Sequence, residues 1–189
     1  MKKEKRLCLL KIAEKISSNE EEQEIIKYGL HQGVLILLNI LTLVICGILW
    51  KELPFVVLVF MVIFILRPYA GGYHANTELS CYLISTIMMN IFISLHKIIV
   101  LSNMIFMGIY IVTAMFICIF TPVENPIHCL DEPERRKYAK KTKWILLCNG
   151  IIMGVGMCIN QRIILEAIVY AQVMVVIAMM GGMWKYKSR

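Results

Sequence analysis

Charged residues thin out after residue 32, and the chain becomes a series of long apolar stretches. Gly33 to Trp50 is eighteen residues without a charge, Pro54 to Leu66 thirteen, Leu79 to Leu95 seventeen, Ile98 to Phe120 twenty-three and Trp144 to Asn160 seventeen. Ile163 to Trp184 adds twenty-two with a single acid, Glu166. A helix crossing a bilayer core needs about 20 apolar residues, with a range of about 17–25, so five of the six runs are long enough. The second covers only ~20 Å at a helical rise of about 1.5 Å per residue. It reads as a span that starts near Lys51, whose ammonium reaches back to the interface; a re-entrant segment is the alternative. The pattern predicts an all-α polytopic integral membrane protein of about six transmembrane helices. Residues 1–189 form a single membrane-embedded domain in this reading, with an N-terminal segment over 1–32, a helical bundle over 33–184 and a tail over 185–189.

The N-terminal segment follows a different pattern. Leu9, Ile12, Ala13 and Ile16 recur at helical spacing among Lys5, Lys11, Glu14 and Lys15. This predicts an amphipathic helix, either lying in the headgroup region or packed on the protein's own cytoplasmic loops. Ser17, Ser18 and Asn19 mark a break. Glu20, Glu21, Glu22 and Glu24 then open a second helix that leads into the first span, since acids suit a helix N-terminus.

Composition narrows the class. Hydrophobic residues make up 59% of the chain and charged residues 17%, against about 45–50% and 25% in soluble domains. A soluble chain of this size could not cover that much apolar surface. A soluble enzyme, a nucleic-acid-binding domain and a disordered tail are thereby excluded, and the bilayer is the first partner. The net charge of +7 is unevenly placed. With six spans both termini share a side, and that side carries 17 of the 20 Lys and Arg residues; Lys51, Lys97 and Arg162 are on the other. The positive-inside rule places the termini and the second and fourth loops in the cytoplasm of a multi-pass cell-membrane protein. No cleaved signal peptide is expected. The seven cysteines are an odd number for a disulfide set. Cys46, Cys118, Cys148 and Cys158 sit in apolar runs and behave as small hydrophobes, and cytoplasmic thiols stay reduced.

Candidate chemistry gathers in the second loop, Arg67 to Glu78. Gly71-Gly72 breaks any helix entering from the second span, and Asn76 or Thr77 can cap the third. Cys81 then falls in the first or second turn of that helix, where oriented N–H groups favour an anion such as a thiolate. On one continuous helix His74 and Cys81 would be ~10 Å apart; the glycine break and the cap let the loop fold back so that they approach. A histidine beside a cysteine is the arrangement that activates a thiol nucleophile. The bland reading is two unrelated residues seven apart. No further His, Cys or carboxylate cluster lies nearby, so no metal and no cofactor is expected. Glu78 reads as a solvated first-turn acid, and His128-Cys129 as an adjacent pair that does not converge on one atom. His31 and His96 read as interface residues at span ends, as does Glu166.

Arg67-x-x-x-Gly71-Gly72-Tyr73-His74-Ala75 followed by Cys81 at the start of a span resembles the accessory gene regulator protein B (AgrB) family of bacteria. Thr121-Pro122-Val123-Glu124-Asn125-Pro126-Ile127 followed by a basic cluster is similar to that family too. The resemblance implies a membrane cysteine endopeptidase that processes an AgrD-like propeptide into a cyclic autoinducing peptide for quorum sensing. It puts the catalytic pair on His74 and Cys81, the supporting residues on Arg67 and on Gly71 or Gly72, and it implies a homodimer. Arg67 would stabilise developing charge or hold a carboxylate, or else simply anchor the span. The glycines would supply N–H groups to an oxyanion, or simply make the turn.

The fourth loop carries Arg135, Arg136, Lys137, Lys140, Lys141 and Lys143 after three acids, with Pro122, Pro126 and Pro133 keeping its first half non-helical. It reads as a topology signal beside anionic lipid or as a docking site for an acidic propeptide tail, Arg135, Arg136, Lys137, Lys140 and Lys141 being the contact residues. Nucleic acid is a poor fit, because stacking aromatics are not interleaved with these charges. The competing class is a small transporter or exporter of a peptide signal. Few charges and no paired half-helix breaks speak against it, and Gly150, Gly154 and Gly156 read as close helix packing.

Overall fold

The computed structural model describes residues 20–73, 75, 77–123 and 130–187. The amphipathic helix expected before Ser17 lies outside them. Six helices follow in order: α1 (Glu20–Leu49), α2 (Leu53–Ala70), α3 (Glu78–Ile98), α4 (Asn103–Phe120), α5 (Glu132–Cys158) and α6 (Arg162–Lys187). Among the described residues the only β-pairing is one isolated parallel bridge, Gly71 to Val123.

Leu53–Ala70, Leu79–Ile98, Asn103–Phe120 and Arg162–Tyr186 are long and apolar enough to cross a membrane. The second run, the shortest by sequence, is among them. Its helix continues through Arg67 and Pro68 to Ala70, so the eighteen residues absorb a charge and a proline that had seemed to end it. The apolar part of α1, Gly33–Leu49, is shorter. In α5 the first three turns carry the basic cluster, and the apolar half begins only at Trp144. The protein is thus an all-helical membrane protein with four helices of spanning length among the described residues.

The chain divides into two compact units, residues 1–43 and 44–189. The first contains most of α1, where Val34, Ile36, Leu37, Leu38 and Leu41 are exposed, a surface that suits lipid rather than water. In the second unit α6 is the central element. It packs on α2, α3, α4 and α5, and 56% of its span window is buried against 17–28% in the other three. Its own residues explain this: Ala167, Ala171 and Ala178 keep it slim, so neighbours approach closely. Leu66 and Ala70 of α2, Ile117 of α4, Leu146 of α5 and Val175 and Met179 of α6 form one apolar core. Thr113 of α4 donates to Gln172 Oε1 of α6 at 2.7 Å in the buried interior. Of the three glycines expected to pack closely in α5, Gly150 meets the Tyr110 hydroxyl and Gly156 meets Ile164 and Leu165, but Gly154 faces open space.

At one end of this unit α2, α3 and α6 are joined by a polar cluster. The His96 ring stacks on Phe55 at 3.9 Å. Its Nδ1 lies 2.8 Å from Glu166 Oε2 and its Nε2 3.5 Å from Glu52 Oε2. The closer contact is not aligned as a hydrogen bond. Arg162 donates to Glu166 one turn on and to the Leu101 carbonyl. His96 and Glu166, read separately as interface residues, are therefore partners, and Glu166 is buried at 6% exposure rather than bathed by the interface.

Candidate active site

The opposite end holds the Gly-Gly turn. Helix α2 stops at Ala70 because Gly71 takes φ 76°, a conformation that L side chains rarely adopt. The Gly71 N–H closes the helix on the Arg67 carbonyl at 3.0 Å. The bridge to Val123 is made by Val123 N donating to Ala70 O at 3.0 Å. A Cβ on Gly71 would sit 2.2 Å from the Val123 carbonyl oxygen, so only glycine fits there. Gly72 is also left-handed, at φ 136°. The Tyr73 N–H then donates to the Ala178 carbonyl of α6 at 2.7 Å, and Arg67 Nη2 donates to the Tyr73 carbonyl at 2.9 Å.

The chain re-enters helix at α3. Thr77 is the N-cap, its Oγ1 accepting from Ser80 N at 3.2 Å; this satisfies one of the orphan donors of the first turn. Cys81 N donates to the Thr77 carbonyl at 3.1 Å, the first main-chain bond of the helix. The thiol is free and half-buried. The first turns of a helix are where its N–H groups concentrate positive potential.

Of the expected site residues, the structure brings Arg67, Gly71 and Gly72 into one turn and sets Cys81 in the first turns of the next helix. His74 lies outside the described residues, as do Asn76 and the His128-Cys129 pair. The Gly71 N–H is engaged by the Arg67 carbonyl, within the helix cap. The Arg67 guanidinium holds the loop by the Tyr73 carbonyl.

The basic cluster is helical, not loop. Asp131 occupies the N-cap position of α5 without a side-chain capping bond, Pro133 sits in its first turn, where its missing N–H costs nothing, and Arg135, Arg136, Lys137, Lys140 and Lys141 are exposed on the turns that follow. Lys141 reaches Tyr69 beside the Gly-Gly turn, with Nζ 4.7 Å above the ring and 3.4 Å from its hydroxyl. Tyr69 and Tyr138 are in contact, and Lys185 of α6 lies over Tyr73. The basic face and the turn thus share one end of the unit. Among the described residues no three His, Cys, Asp or Glu side chains gather as a metal site would need. The residues that sequence reading missed are on α6: Ala178 and Gly182 meet the backbone of the turn. Their only signal was a Gly-Gly pair inside an apolar run.

A helical membrane unit with a glycine-broken, cation-rimmed turn leading straight into a capped helix that bears a free thiol is the class defined here. A family model described as accessory gene regulator B matches residues 9–179, and the chain belongs to that family. Membership places it in quorum-sensing peptide processing, within a peptidase-like family. No curated protein and no solved structure gives a match.

Proposed function

We propose that the protein is a membrane cysteine endopeptidase that cleaves an AgrD-like propeptide and promotes cyclisation of the product. The observation that carries the reading is the placement of Cys81 in the first turns of a helix capped by Thr77, directly after the Gly-Gly turn. His74 takes the proton from Cys81 Sγ, and the thiolate attacks a peptide carbonyl carbon of the precursor. The C–N bond breaks, His74 returns the proton to the departing amine, and the acyl group remains as a thioester on Cys81. An internal Cys or Ser of the precursor then gives its proton to His74 and attacks the thioester carbonyl. The Cys81 thiolate leaves and is reprotonated, and a thiolactone or lactone ring is closed. Thioester exchange has little driving force, so hydrolysis must be held off by shielding the site at the membrane face. Holding the internal nucleophile close raises its effective concentration.

Residues 1–189 act as a single peptidase domain in this reading, as a homodimer, with the turn and the basic face of α5 toward the cytoplasm. That face receives an acidic segment of the propeptide. Cys81→Ala and His74→Ala should each abolish cleavage of a co-expressed precursor. The parent enzyme should yield a hydroxylamine-sensitive adduct on Cys81, which an exporter would not form. Intact cleavage by either variant would refute the mechanism.

A further inference from the structure

The turn rests on a helix that the mechanism above does not use. A Cβ on Gly182 of α6 would fall 2.8 Å from the Gly72 carbonyl carbon and 2.9 Å from Tyr73 N. Both neighbours are backbone, so neither can swing aside as a side-chain end could. The reverse contact is also tight, since a Cβ on Gly72 would meet the Ala178 carbonyl carbon at 3.1 Å and Met179 N at 3.3 Å. The adjacent Gly181 differs: its Cβ would lie 3.5 Å from Tyr73 Cβ, an ordinary contact. One glycine of the pair is therefore required by the turn, and its neighbour is not. The Tyr73 peptide unit is pinned at both of its ends, with its N–H on Ala178 of α6 and its carbonyl on Arg67 of α2. Tyr73 is the residue immediately before His74.

We propose that Gly182 is a positioning residue for the reaction. Its bare backbone is the seat on which Gly72 and Tyr73 rest, and this seat sets where the chain delivers His74. The proposal rests on the His74–Cys81 reading. Gly182 touches neither substrate nor thiol, so it acts through the placement of the turn. A methyl group there must lift the turn, and a displacement of about 1 Å at a reacting group costs on the order of 100-fold in rate.

The test compares three glycine variants of the full chain in membranes, matched for inserted protein. Gly182→Ala should lower kcat for precursor cleavage by about 100-fold with KM unchanged. It should also slow alkylation of Cys81 by iodoacetamide at neutral pH, as His74→Ala should. Gly181→Ala, which makes the same chemical change one residue away, and Gly154→Ala, which meets open space, should keep the parent kcat and alkylation rate. A Gly182→Ala enzyme with parent kcat overturns the inference, and the dyad reading stands if His74→Ala and Cys81→Ala are inactive. Cleavage by His74→Ala overturns the dyad reading itself. Should Gly182→Ala fail to insert, a second measurement decides. In a chain without its native cysteines, Tyr73→Cys and Gly181→Cys place two Cβ atoms about 3.5 Å apart, within the disulfide range. Oxidation should join the two peptides in a mass-spectrometric map, and their remaining separate would overturn the seat.

Discussion

Two constraints coincide at Gly71: a left-handed φ of 76° and the Val123 carbonyl oxygen where a Cβ would go. The first alone costs a non-glycine residue about 1–3 kcal/mol, and the second cannot be relieved by a rotamer change. Gly71→Ala should lower the thermal midpoint in detergent and abolish processing, whereas Gly154→Ala should leave the midpoint unchanged or slightly higher, because alanine is the better helix former. Arg67 can be separated into charge and shape. Arg67→Lys keeps the positive end of α2 that topology requires but loses the planar fork that reaches the Tyr73 carbonyl. Insertion should be unchanged and precursor cleavage reduced; full cleavage by Arg67→Lys would mean that charge alone suffices.

Helices α2 and α5 show where an apolar run is a poor guide to an element. The charges that bound a run are a matter of lipid exposure, while the helix itself ends only where backbone geometry fails. Helix α2 therefore passes Arg67 and Pro68 and stops at Gly71, and α5 begins twelve residues before its apolar part at Trp144. The Gly-Gly break and the Thr77 cap were legible, because both are local backbone devices with a fixed chemical signature. The contacts of Gly72 with α6 and of His96 with Glu166 were not, because each joins positions far apart in the chain and neither residue type announces its partner. Folding the basic cluster into α5 sharpens its role. A helix holds Arg135, Lys137 and Lys140 as a fixed array rather than as a mobile loop, and Lys141 lies next to the turn. Reversing Arg135, Arg136, Lys137 and Lys140 to Glu should weaken propeptide processing mainly through KM, with the protein still inserted. Unchanged KM would assign the cluster to lipid and topology alone.

Across residues 44–189, α6 is bound at both of its ends: its first turn joins the Glu52–His96–Glu166–Arg162 cluster, and its last turns seat the Gly-Gly turn. Glu166 is buried but Arg162 is partly exposed, so breaking their pair should cost about 1–2 kcal/mol, between the limits for exposed and buried pairs. Glu166→Gln should accordingly lower the thermal midpoint while leaving kcat for cleavage at the other end unchanged below the transition. The position of the seat also bears on time. Gly72 and Tyr73 leave the ribosome more than a hundred residues ahead of Ala178 and Gly182, a delay of roughly ten seconds at about 5–20 residues per second. Until α6 has been made and has threaded in among its neighbours, Gly72 and Tyr73 lack their seat on Ala178 and Gly182. A half-synthesised chain would carry its thiol without the seat that organises the turn, so under the proposed function cleavage must wait for α6.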